Sequence, residues 1–313
     1  LAVEEINKAG GVNGKMLELI IADDEGKADK AAAAVEKLAT VDKVEAFIGG
    51  MASGAEVGKI PAYAKYNKVV VATGAASSAI VEKALGPSPG SDYYFHLHPW
   101  DYNQGASYAE GWDAIQKKYP SIKIKKIFLA YEEGAFGKSS WDATKLLFGS
   151  DKRYTVDDAP FKSALLGGGD YSAVLEAAKD FKPDLFLWAG YDADALPLLE
   201  QSKAIKFTPK IYLGAPPGWP IGFGSSKLSK NVMLYGMWSP SMNDTNPASK
   251  KFYDAYVKKY REEPATYFAL LAYDAVMILA DGIRVAGTTE TAALVKALEA
   301  TKYASPLGET ITF

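Results

Sequence analysis

Few residues in this sequence have types and spacings suited to chemistry, and most of the spacings fail. Gly137-Lys138-Ser139 matches the end of the phosphate-cradling loop GxxxxGK[ST], but Glu132 stands where the first glycine must be. No GxGxxG follows an expected strand, and Gly167-Gly168-Gly169 falls in a loop before a helix, so no nucleotide cofactor is expected. Gly50-Met51-Ala52-Ser53-Gly54 sets its serine one place too late for the GxSxG nucleophile elbow. A serine triad also needs an imidazole, and the chain holds only His96 and His98. Those two lie two apart in an expected strand, so both rings face one side and can in principle hold a metal, yet no third ligand is near. Asp23-Asp24 and Asp157-Asp158 read as solvated strand ends, since adjacent carboxylates on a strand point to opposite faces. No catalytic set, metal site or cofactor is expected.

What remains suits binding. In open parallel sheets, ligands sit beyond the carboxyl ends of strands, where loops enter helices. Two such turns stand out. Gly49-Gly50-Met51-Ala52-Ser53 joins a strand to a helix, with Ser53 expected as an N-cap whose hydroxyl and nearby backbone N–H groups can hold an anion. Thr73-Gly74-Ala75-Ala76-Ser77-Ser78 follows the next strand, and its small residues let backbone approach a ligand closely. In the other half, the corresponding strand ends carry Phe136, Tyr191 and Trp219, with Trp100 and Tyr102 at a crossover. Aromatics at turns are odd places to build a core, and their clustering at equivalent strand ends favours ligand contact.

The elements that must position these residues alternate. Helical spacing over residues 1–9 stops at Gly10-Gly11; an expected strand at 16–22 is followed by a helix over 29–40, a strand at 46–48, a helix over 53–66 and a strand at 69–72. After 93–98 the alternation restarts: helix 104–119, strand 127–130, helix 136–148, strands 185–188 and 211–213 with helix 192–201 between them, then 232–235. Helices over 247–260, 266–287 and 290–301 close the chain. This βαβ alternation predicts an α/β fold of two Rossmann-like lobes with parallel central sheets. Segments 97–104 and 236–240 read as hinge crossings. The expected division is residues 1–98 plus 241–304 in one lobe and 99–240 plus 305–313 in the other.

Composition narrows the function further. With 35 Lys and Arg against 38 Asp and Glu, the formal charge is −3, which leaves no basic surface for nucleic acid. The chain has no cysteine, which removes disulfides and thiolate sites. Its apolar runs, such as 16–22, are far shorter than the roughly 20 residues that span a bilayer. Asn243-Asp244-Thr245 forms a glycosylation sequon, a weak sign of an exposed loop.

The opening residues LAVEEINKAGGVNGKMLELIIADD closely resemble the start of the leucine/isoleucine/valine-binding proteins, type I periplasmic binding proteins of ABC importers. The resemblance continues through Lys37-Leu38, Phe47-Ile48-Gly49, the Ser53 turn, Phe136-Gly137-Lys138 and Ala272-Tyr273-Asp274-Ala275-Val276, and covers essentially the whole chain. It implies two lobes joined by a three-segment hinge and closing on a small carboxylate or amino-acid ligand, a permease partner, and a periplasmic or extracellular location, with lipid anchoring at the cell surface as one form of it. Against the family, both ends look clipped: an N-terminal strand and a C-terminal tail are expected beyond them. By position, the resemblance assigns Met51, Ala52 and Ser53 to the carboxylate turn, and Gly74, Ala75 and Ala76, with Ser77 beside them, to the second turn. Phe136, Tyr191 and Phe268 match aromatic positions near the ligand.

One departure bears on the ligand. The resemblance implies an acidic residue after the strand at 211–213 to pair with a ligand ammonium, and this chain reads Gly214-Ala215-Pro216-Pro217-Gly218-Trp219. Losing a charge-assisted hydrogen bond of about 1.5–3 kcal/mol weakens an α-amino acid by roughly ten- to a hundredfold. Two readings stay open: an amino acid anchored by Asp192 or Glu133, or an aromatic or aliphatic acid without an ammonium. A ligand-sensing receptor domain and an assembled surface protein are alternative uses of the same fold.

Overall fold

The computed structural model describes residues 1–84, 93–214 and 223–313. Short apolar runs become strands and the amphipathic stretches between them become helices. In chain order these are α1 (Ala2–Lys8), α2 (Ala28–Thr40), β1 (Phe47–Gly49), α3 (Ser53–Tyr66), β2 (Val70–Ala72), α4 (Ala79–Ala84), β3 (Tyr94–His96), α5 (Asp101–Lys118), β4 (Lys126–Glu132) and α6 (Ala135–Ser150). Then follow β5 (Thr155–Phe161), α7 (Ser172–Phe181), β6 (Leu185–Ala189), α8 (Asp192–Ala204), β7 (Ile211–Gly214), β8 (Val232–Leu234), α9 (Pro247–Tyr260), α10 (Phe268–Ala286), α11 (Thr291–Glu299) and the ribbon β9 (Tyr303–Ala304) and β10 (Thr310–Ile311). The fold is α/β with parallel sheets, as the alternation predicts.

The chain divides into two compact units, one of Leu1–Ala75, Ala79–His98 and Met237–Phe313, the other of Ala76–Ser78 and Pro99–Gly236. In the first, β1, β2 and β3 form a parallel sheet in that order. The central strand β2 is wholly buried, which is why its sequence is an unbroken Val-Val-Ala. Leu270, Leu271, Ala275 and Ile278 supply the buried face of α10, and Ile6 of α1 packs in a cluster with Val12 and Ala280.

In the second unit five parallel strands run β5-β4-β6-β7-β8. The central β6 is buried on both sides: Phe186 and Trp188 join Val174, Leu175 and Leu198 on one face, while Leu185 and Leu187 join Tyr108, Trp112 and Phe148 on the other. This two-sided burial explains its continuous Leu-Phe-Leu-Trp-Ala run.

Several expectations are corrected. Residues 16–22 form no strand; Met16, Leu19 and Ile21 are exposed. A strand needs a hydrogen-bonded neighbour, and among the described residues none runs alongside; instead the Asn7 side chain pairs with both backbone groups of Leu17. Residues 305–313 belong with the first unit, where the Ser305 hydroxyl donates to Asp274 and Phe313 meets Phe95 edge-on at 4.9 Å. Met237 and its successors also join the first unit. Asp157 and Asp158 lie inside edge strand β5, not at a strand end. Among the described residues, no helix is long and apolar enough to cross a membrane.

Candidate functional site

In the first unit, β1 and β2 end side by side and their following turns lock together. Gly49 and Gly50 take φ of 115° and 96°, a region that side chains rarely adopt. The Thr73 N–H donates to the Gly49 carbonyl at 3.2 Å and the Ala75 N–H to the Met51 carbonyl at 3.0 Å. Gly74 nests against the first turn so closely that a Cβ there would lie 2.7 Å from the Gly50 carbonyl oxygen and 2.9 Å from the Met51 Cα. Ala75 itself is left-handed, at φ 47°.

Ser53 is the first residue of α3, and Ala52, in extended conformation, is the N-cap. The expectation that Ser53 caps the helix is corrected by one residue: the chain turns helical one residue earlier than the serine pattern suggests. The helix start still presents amide N–H groups that have no carbonyl a turn behind them, the physical basis of anion binding at such ends. Met51 is exposed, whereas Ala52, Ser53, Gly74, Ala75, Ala76 and Ser77 are buried. The Ala76 carbonyl accepts from the Asp101 N–H at 2.8 Å, and Asp101 Oδ2 accepts from the Ser78 N–H and hydroxyl at 2.8 and 2.9 Å. Trp100 precedes this aspartate as the N-cap of α5.

Beside the two turns lies a layer of aromatic and imidazole rings, whose bracing contacts are not legible in the sequence. The His96 ring stacks on Tyr94 at 6.3 Å, and its Nε2 lies 2.7 Å from the Gly74 carbonyl oxygen. Burial pushes the His96 imidazole down to about 4, so near neutral pH it is uncharged and donates from Nε2. His98 stacks on Phe268 at 5.5 Å, with its Nε2 2.9 Å from the Tyr267 hydroxyl. The paired histidines therefore brace a turn and an aromatic pair; among the described residues, no three His, Cys, Asp or Glu side chains gather as a metal site.

In the second unit, Phe136 and Tyr191 pack at 5.4 Å between ring centroids, the former in the first turn of α6 and the latter as the N-cap of α8. Tyr191 is fixed by the buried Asp194, whose Oδ2 accepts the Tyr191 N–H at 2.8 Å. The same carboxylate takes the Tyr171 hydroxyl at 2.6 Å, the Ala164 N–H at 2.8 Å and the Ser163 hydroxyl at 2.8 Å. Its signal was present in the sequence as an acid three residues into a helix.

Glu132 also has a defined role. Its buried carboxylate accepts the N–H groups of Gly134 and Gly137 at the start of α6, and burial raises its pKa. The anion position at that helix end is thus filled by the chain's own carboxylate, the physical reason the near-match at Gly137-Lys138-Ser139 cannot cradle a phosphate. Asp192 and Glu133 are both exposed. Trp219 and the Pro216-Pro217 segment lie outside the described residues.

Comparison with known proteins agrees with this fold. The model of a family described as periplasmic binding protein matches residues 1–313. The Leucine-, isoleucine-, valine-, threonine-, and alanine-binding protein of Pseudomonas aeruginosa is 26% identical over 98% of this chain and 78% of its own length. Leu/Ile/Val-binding protein homolog 3 of Brucella melitensis is 27% identical over 100% of this chain and 80% of its own. Among solved structures, the branched-chain amino acid transporter substrate binding protein of Streptococcus pneumoniae in complex with isoleucine superposes with a TM-score of 0.80 at 24% identity, covering 98% of this chain and 83% of that one. A solute binding protein of R. palustris in complex with benzoate gives 0.82 at 18% identity, covering 98% and 81%. With its parallel-sheet units and a family match along its whole length, the chain belongs to the periplasmic binding protein family.

Proposed function

We propose that this chain is the extracytoplasmic solute-binding component of an ABC importer, that it takes up a small carboxylate-bearing solute without chemical change, and that a membrane permease is its partner. The observation that carries this reading is the interlocked pair of turns in the first unit, where the 49–51 and 73–75 backbones are held in fixed register at the start of α3. Such a turn supplies preorganised N–H donors, and preorganisation lowers the ordering cost of binding. Phe268 in the first unit, and Phe136, Tyr191 and Trp100 in the second, are the apolar contacts each unit offers; Trp219 joins them on sequence grounds.

Two ligand classes fit a carboxylate turn: α-amino acids, as named for the Pseudomonas and Streptococcus relatives, and simple aromatic acids, as named for the R. palustris protein. Thermal-shift and calorimetric titrations with leucine, isoleucine, valine, benzoate and 3,4-dihydroxybenzoate test the reading. Binding of at least one, weakened by about tenfold in Ser53→Ala, is expected for a lost hydrogen bond to a charged group. Unchanged affinity in that variant removes the serine from the carboxylate turn, and no binding by any carboxylic acid overturns the function.

A further inference from the structure

We infer that the buried pair Glu56 and Lys59 sets the charge preference of the 50–53 turn, so that the turn distinguishes a ligand carboxylate from its uncharged amide through proton uptake on Glu56. The inference rests on the reading of this turn as the carboxylate site. Glu56 lies one helical turn beyond Ser53 and is wholly buried. Its carboxylate packs directly against Gly50, where a Cβ would lie 2.3 Å from Oε2. A bound anion at the turn and an ionised Glu56 would therefore be like charges close together, with the Glu56 carboxylate shielded from solvent by its burial.

The groups facing Glu56 come from α3, β3 and the segment before α2. Lys59, also on α3, places Nζ 3.2 Å from Oε2 and shares it with Asp24 Oδ2 at 2.8 Å. Tyr94 on β3 donates its hydroxyl to Oε1 at 3.1 Å, and Tyr63 on α3 adds an uncharged phenol nearby. Among the described residues no hydrogen-bond donor reaches Oε2 with good geometry. The charges of α2, Asp29, Lys30, Glu36 and Lys37, are exposed and solvent-screened.

Lys59 is thus divided between two carboxylates. With Glu56 ionised the trio carries one net negative charge; with Glu56 protonated it is neutral. Burial favours the protonated form and raises the Glu56 pKa, while Lys59 opposes it. A ligand carboxylate at the turn shifts the balance further towards protonated Glu56, so binding draws in a proton and carboxylate affinity climbs as pH falls. A neutral amide in the same place has no such coupling.

The test is calorimetric titration of benzoate against benzamide at pH 7, 7.5 and 8 in HEPES and in Tris, and of L-leucine against L-leucinamide at pH 6, where both α-ammonium groups stay charged, in MES and in Bis-Tris; the different ionisation heats within each buffer pair report protons exchanged. In the native chain, carboxylate binding should take up a fraction of a proton and amide binding none. Glu56→Gln should abolish the uptake and raise the carboxylate-to-amide affinity ratio by about fivefold or more at pH 8, the scale of ordinary site-to-site coupling. Lys59→Met should lower that ratio. A merely structural role would move both ligands of a pair equally, and an unchanged ratio in Glu56→Gln overturns the inference. Zero uptake by the native chain does so without any variant. If Gly74→Ala leaves carboxylate binding intact, the turn reading itself has failed; if it abolishes binding while Glu56→Gln leaves the ratio unmoved, only the charge coupling has failed.

Discussion

The Nε2 atom of His96 lies 2.7 Å from the carbonyl oxygen of Gly74, so β3 grips the turn that leaves the neighbouring strand β2. The ring is neutral in the folded chain down to about pH 4, whereas in an unfolded chain it takes a proton near 6.5. Its contribution is therefore fully present above pH 6.5 and is lost as pH falls towards 4, by up to about 3 kcal/mol. Urea unfolding at pH 7 and pH 4.5 should show His96→Gln losing less stability on acidification than the native chain; equal losses would mean that the ring titrates normally.

Gly74 tests the interlock of the turns. A methyl group at that position meets backbone atoms at 2.7 and 2.9 Å, which cannot swing aside as a side-chain tip can. Gly74→Ala should cost about 1–3 kcal/mol in unfolding free energy. It should also raise the ligand Kd by about tenfold or more, because a turn displaced by tenths of an ångström loses its preorganised donors. Denaturation and calorimetry on the same preparation separate the two effects.

Asp194 holds four donors from three segments of the second unit. Asp194→Ala leaves those donors facing a cavity and should destabilise by about 3 kcal/mol or more. Asp194→Asn, which keeps acceptor capacity on one oxygen, should cost roughly half as much. Chemical denaturation checks both, and Tyr171→Phe, which removes a single donor, should cost the least of the three.

Asp274 on α10 receives the Tyr303 hydroxyl at 3.0 Å and the Ser305 hydroxyl, and burial lifts its pKa to about 6. Since the folded chain holds this proton more tightly than the unfolded one, the associated stability is present below about pH 4 and disappears as pH rises through 6. Between pH 4 and pH 7.5 the stability difference should move in favour of Asp274→Asn by up to about 3 kcal/mol. A difference that stays constant across that range would show that Asp274 is ionised throughout.

The sequence makes the architecture legible because burial on both faces leaves a long apolar run: β6 reads Leu-Phe-Leu-Trp-Ala with no polar interruption. The same rule misleads at 16–22, where an apolar run forms no strand and stays largely exposed, since periodicity reports what a segment prefers and not whether a neighbour is there to pair with it. The turns at 49–53 and 73–78 show through their glycines and serines. Ser53 is off by one place because cap preference does not fix where helical dihedrals begin. What stays hidden is the supporting layer. Glu56, Lys59, His96 and Asp194 look like ordinary surface or strand residues until long-range packing brings them to their partners. The placement of 305–313 depends likewise on Asp274, some thirty residues away along the chain.

The first unit is assembled from both ends of the chain: Ile6 shares a cluster with Ala280, and Leu1 packs with Trp238, Leu270 and Leu271. The second unit is nearly contiguous, from Pro99 to Gly236. During synthesis, then, the second unit has all its strands before the ribosome reaches α10, while the first must keep its early apolar segments waiting for partners made after the second unit. The turn at 49–53 precedes the second unit in the chain and gains the support of α10 only after that unit has been made. The vulnerable interval for misfolding or for capture by a chaperone is therefore longest for the half of the molecule that carries that turn.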